Sequence, residues 1–102
     1  MIAISDDMRR EVDRLCHEHG VVRLELFGSA AGPEFKPTAS DVDLVVEFGE
    51  LESGRYADAY FELLAGLEVL FGRKVDLVVD RAIRNPYFRQ KIDQSRTLLY
   101  AA

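Results

Sequence analysis

Two aspartates one residue apart, Asp41 and Asp43 in the run S-D-V-D-L, are the residues whose type and spacing bear most directly on chemistry. On an extended strand, alternate side chains share a face, so both carboxylates point the same way and can share or bridge divalent cations. Gly28 and Ser29 follow an apolar run, where a backbone turn with free N–H groups and a hydroxyl can approach a phosphate closely. Asp76 stands inside K-V-D-L-V-V and offers a third carboxylate from a neighbouring strand. An aspartate flanked by Val75, Leu77, Val78 and Val79 is costly to desolvate unless a cation or donor compensates it. Each signal has an ordinary reading as well: Gly-Ser as a plain turn, D-x-D as a solvated strand end, Asp76 as a surface residue of a one-sided sheet. Three convergent carboxylates beside a phosphate-binding turn are what phosphoryl or nucleotidyl transfer requires. Mg²⁺ there would clamp a triphosphate, neutralise developing charge and lower the pKa of an attacking hydroxyl.

These groups need rigid elements to hold them. Ser5 with Asp6 and Asp7 has the form of a helix N-cap and acidic first turn, and Met8, Val12, Leu15 and Cys16 recur at helical spacing up to Gly20. The run V-V-R-L-E-L-F, residues 21–27, alternates as a strand. Residues 28–40 collect glycine, proline and small polar residues and read as a turn and exposed loop. A second strand is expected over 41–48, with the carboxylates at its start. Ser53 is the candidate cap of a helix over about 55–71, stopped by Gly72 and carrying an apolar stripe that includes Tyr60, Leu63, Leu67 and Phe71. A third strand covers 74–79. Asn85-Pro86 opens a last short helix to about Gln94, followed by an apolar Leu98-Leu99-Tyr100 tail. The expected fold is α/β (α+β): a small mixed β-sheet of about three to four strands packed against helices, in one domain spanning 1–102.

Composition narrows the class. A chain of 102 residues, 48% hydrophobic and 30% charged, can bury one core and leaves no room for a separate substrate domain. Its formal net charge of −5 argues against broad electrostatic binding of nucleic acid, which needs a basic face. A single cysteine, with no leader and no membrane-spanning run in the sequence, points to the cytoplasm. Cys16 is expected in the core, and His17 and His19 near a helix C-terminus, where positive charge suits the dipole. Tyr56, Tyr60, Phe61 and Phe71 are expected to pack in the core. Tyr87, Phe88, Leu98, Leu99 and Tyr100 would cover the sheet or form a partner or dimer surface.

The stretches L-F-G-S at 26–29, S-D-V-D-L-V-V-E-F at 40–48, G-R-K-V-D-L-V at 72–78 and N-P-Y-F-R-Q-K-I at 85–92 together resemble the minimal nucleotidyltransferases of the DNA polymerase β superfamily, the antitoxin-type partners of HEPN-domain proteins. The resemblance spans nearly the whole chain. It implies that Gly28 and Ser29 bind the triphosphate, with Ser40 and Lys36 as further nucleotide-binding candidates. It implies that Asp41 and Asp43 ligate Mg²⁺, and that Asp76 is the third acid, assisting the incoming hydroxyl. The implied activity is transfer of AMP from ATP to a protein hydroxyl, typically a tyrosine of a HEPN-type ribonuclease toxin, which silences it. The chain departs from the pattern in two places: Ala30, Ala31 and Gly32 stand where arginines are common, and the Ser29-to-Asp41 interval is one residue longer. Lys36 is the candidate substitute for the missing charge. The alternatives are a catalytically degenerate antitoxin that neutralises its partner by binding alone, or an enzyme modifying a small molecule with help from a second subunit. A homodimer and a hetero-oligomer both remain open.

Overall fold

In a computed structural model, residues 1–33, 35–36 and 41–102 are described. The elements follow in the order α1 (Asp6–Glu18), β1 (Val21–Phe27), β2 (Val42–Phe48), α2 (Tyr56–Phe71), β3 (Val75–Val79), α3 (Pro86–Asp93) and β4 (Thr97–Ala101). Short 3-10 turns at Gly28–Ala31 and Asp80–Ala82 join them. The sheet order is β3-β2-β1-β4. β1 runs antiparallel to both β2 and β4, whereas β2 and β3 are parallel, so the sheet is mixed. A parallel pair needs a crossover, and α2 supplies it.

Local chemistry accounts for the boundaries. The Ser5 side chain accepts the Met8 N–H and caps α1. Gly72, at φ 66°, takes the left-handed conformation that ends α2, and its N–H donates to the Glu68 carbonyl. Asn85 Oδ1 accepts the N–H groups of Tyr87 and Phe88 at 2.8 and 3.3 Å, and Pro86 opens α3. Two expectations are corrected. Ser53 does not cap α2; Arg55 occupies the cap position without a side-chain bond, because the helix begins two residues later than a cap at Ser53 requires. The tail after α3 is a fourth strand, which reaches across to pair with β1.

The sheet has two unlike faces. Leu24, Leu26, Val42, Leu44 and Val46 point to one side and meet Val12, Leu15 and Cys16 of α1 and Leu63, Leu67 and Phe71 of α2. Burying each such leucine contributes about 2 kcal/mol. On the other side α3 lays Ile92 over Phe27 and Val45. This second layer explains why β2 reads as a near-continuous apolar run: Val45, which alternation would place in solvent, is 1% exposed. Phe61 does not join the core as expected. It faces solvent at 65% exposure because it sits on the outer stripe of α2, edge-on to Tyr60. Tyr56 is likewise exposed, while Leu99 is buried and its neighbour Leu98 points outward.

Candidate functional site

The partly covered second face carries the polar chemistry. Asp43 lies in β2 with Phe27 opposite it on β1 and Asp76 opposite it on β3. Neighbouring strands lie about 4.8 Å apart, so two carboxylates in register on one face must confront each other. The consequence appears in the titration of Asp43: its carboxyl is pushed up to about 6, chiefly by burial, then by the facing Asp76 and by Asp41, with Lys91 pulling the other way. Asp76 itself is on the open side of the edge strand, its side chain 48% exposed, and Lys74 Nζ stands 3.9 Å from it. Of the apolar flanks that made it look costly to bury, Val75, Leu77 and Val79 belong to the opposite face, and only Val78 shares its side of the strand. Asp41 precedes the first residue of β2 and is exposed. The carboxylate pair of Asp43 and Asp76 is therefore tight, with Asp41 standing apart. Among the described residues no three acidic, histidine or cysteine side chains gather as a ready-made metal cluster.

Gly28 ends β1 and begins the 3-10 turn with φ 63°. A Cβ at this position would come 2.7 Å from Asp43 Oδ2, so only glycine allows both the turn and the close approach of the carboxylate. The Gly28 N–H donates to Ser95 Oγ at 2.9 Å, which ties the turn to the chain leaving α3. Gly28, Ser29, Asp43 and Asp76 line one cavity of about 990 Å³. Asp41 and Lys36 are not among its lining residues, and Ser40 lies outside the described residues.

The remaining wall comes from residues that pattern reading assigned to no site: Tyr60 of α2, Phe88 and Lys91 of α3, and Ser95. The Tyr60 hydroxyl donates to the Leu77 carbonyl at 2.6 Å, covering a backbone acceptor on the edge strand. Burial and then Asp76 push its pKa upward. Phe88 and Lys91 recur at i and i+3, the spacing of one helix face, and that was the available signal; Ser95 follows in the turn after α3. α3 is fixed in place by charge. Arg96 donates to Glu25 Oε1 at 2.7 Å and to Asp93 Oδ1 at 2.8 Å, and Arg89 pairs with Asp80. Glu25 is only 7% exposed, so this bond satisfies an otherwise costly buried carboxylate. Burial alone would raise the Asp80 pKa, but Arg89 and Arg96 outweigh it and hold the group below its ordinary value.

An oxygen-only pair of facing carboxylates, one of them destabilised in its charged form, is a donor set suited to a hard divalent cation, with substrate phosphates and water completing the shell. The same cavity offers a glycine turn and a serine hydroxyl next to that pair.

Residues 8–99 match the nucleotidyltransferase domain family. The chain belongs to that family. A Methanocaldococcus jannaschii relative, MJ1379, named as a candidate protein adenylyltransferase, is 35% identical over 91 residues, covering 89% of each chain. A solved structure of a candidate minimal nucleotidyltransferase superposes with a TM-score of 0.71 at 36% identity, over 89% of this chain and 88% of that one. A chain from the complex of a tri-AMPylated Shewanella oneidensis HEPN toxin with an MNT antitoxin shares the fold at TM-score 0.62 and 20% identity, over 93% of this chain and 71% of that one. This nucleotidyltransferase is of the minimal type within the DNA polymerase β superfamily. No helix among its described residues is long and apolar enough to cross a membrane.

Proposed function

We propose that this nucleotidyltransferase, acting as one domain over residues 1–102 in the cytoplasm, transfers AMP from ATP to a tyrosine hydroxyl of a HEPN-type toxin and thereby silences it. The observation that carries the reading is the in-register confrontation of Asp43 and Asp76 beside Gly28 in one cavity. Asp41, Asp43 and Asp76 would hold Mg²⁺, which when bound neutralises the triphosphate and acidifies the acceptor hydroxyl. The Gly28-Ser29 turn orients the phosphates so that the α-phosphorus faces the acceptor. The acceptor oxygen forms its bond to that phosphorus while the bond to the bridging oxygen breaks, and pyrophosphate leaves. Asp76, the more exposed of the pair, takes the hydroxyl proton. Ser40 and Lys36 are the further nucleotide-binding candidates.

The test is transfer of label from α-³²P ATP, with Mg²⁺, to the purified HEPN partner or to lysate of the source organism. Asp43→Asn should abolish labelling while the fold survives, and γ-labelled ATP should give no band. Full labelling by the variant would sink the assignment. One observation favours a second reading, neutralisation by contact alone: the Gly28–Ala31 turn carries no cation, and Ala30 is wholly buried. That reading requires Asp43→Asn to neutralise the partner as well as the native chain does.

A further inference from the structure

A triphosphate entering this cavity brings several negative charges to a wall that already holds Asp43 and Asp76. The turn at Gly28–Ala31 contributes backbone and a hydroxyl but no charge. Among the described residues lining the cavity, Lys91 is the one cation. The other basic residues near the site are committed. Arg89 is paired with Asp80, Arg96 with Glu25, Asp93 and Asp80, and Lys74 leans on Asp76 from outside the lining. Lys91, among the described residues, has no hydrogen bond or ion pair. Its position is nevertheless fixed. Ile92, the next residue, is wholly buried, Phe88 one turn earlier packs edge-on against Phe27 with ring centroids 6.1 Å apart, and Arg89 and Arg96 anchor the helix at both ends.

We propose that Lys91 grips the nucleotide's phosphates, supplying from α3 the positive charge that the Gly28–Ala31 turn lacks. This rests on the nucleotidyl-transfer reading and adds to it the residue that recognises the substrate's charge. A free ammonium facing a carboxylate pair across a cavity is strongly hydrated without substrate and meets phosphate oxygens when the triphosphate displaces that water. Lys36 is the rival, and it lies off the cavity wall.

The experiment is calorimetric titration of the full chain with Mg-ATP and, separately, with inorganic tripolyphosphate and Mg²⁺, comparing Lys91→Ala, Lys91→Arg and Lys36→Ala. Removing a charge-assisted contact should weaken binding of both ligands about tenfold in Lys91→Ala. Lys91→Arg should stay close to the native affinity, because it keeps the charge. Thermal melting should shift little, since Lys91 has no hydrogen bond or ion pair among the described residues to lose and acts on Asp43 only through its charge. In transfer assays the deficit should fall on the KM for ATP. Native affinity in Lys91→Ala, or a loss confined to Lys36→Ala, would overturn the proposal. So would equal loss in Lys91→Ala and Lys91→Arg with a lowered melting temperature, which would mark a structural role. If the native chain binds neither ligand, the nucleotidyl-transfer reading falls and this inference with it; native binding with an indifferent Lys91→Ala removes this inference alone.

Discussion

Asp43→Asn should make the metal-free protein more stable while destroying its activity. The carboxyl of Asp43 is raised from an ordinary 3.8 to about 6 by burial and by the facing Asp76. A raised carboxylate pKa means that the folded state binds the proton more tightly than the unfolded one. Ionisation therefore works against folding, and the penalty grows as pH rises from about 4 through about 6 and is complete above that. A shift of about two units corresponds to a ceiling of about 3 kcal/mol. Asp43 keeps contact with solvent in an open cavity, so screening reduces this to about 1 kcal/mol. In a domain of this size that is a rise of about 4–8 °C in melting temperature. The assay is thermal melting by circular dichroism in chelator, at pH 7.5 and pH 4. The gain should be full at the higher pH and absent at the lower, where the native carboxyl is protonated too. Asp76→Asn should also stabilise, but less in the Asp43→Asn background than in the native one, because the repulsion can be removed only once. Millimolar Mg²⁺ with ATP should reverse the ranking by stabilising only the native chain. An Asp43→Asn protein that melts lower than native in chelator, or by the same margin at both pH values, would refute the claim that the two carboxylates repel each other.

Gly28→Ala should lose about 1–2 kcal/mol of stability in urea denaturation and lose ATP binding, since its φ is 63° and a Cβ would meet Asp43 Oδ2 at 2.7 Å. Native ATP affinity in that variant would show that the approach is not needed. Arg96→Ala should cost about 3 kcal/mol by leaving Glu25 buried without a partner, and Glu25→Gln in the same chain should recover much of the loss. Additive losses in the double variant would break this account. Cys16, buried without exposure and with its thiol pushed up to about 12 by desolvation and then by Asp13, should ignore Ellman's reagent in the native protein and react at once in guanidinium. Reaction at an exposed-thiol rate under native conditions would contradict the burial.

The sequence by itself determined most of the elements and made half of the candidate site legible. Alternation in V-V-R-L-E-L-F, the caps at Ser5 and Asn85-Pro86, and Gly72 are local signals, settled within a few residues, and each reappears at its place in the fold. Gly28 and Asp43 were legible for the same reason, as a glycine just past a strand and an acid on a strand. What the sequence could not decide is what lies across from what. Only strand order sets Asp76 against Asp43, and only β4's return to β1 with α3 over the second face brings Lys91, Phe88 and Ser95 to the cavity. The same distance from local pattern explains the errors. Phe61 looked like core because helical spacing does not say which stripe meets the sheet, and Asp76 looked buried because Val75, Leu77 and Val79, adjacent in sequence, face the other way. Periodicity gives each residue a face, but the partner of that face is fixed by packing between segments far apart in the chain, where burial and desolvation are decided.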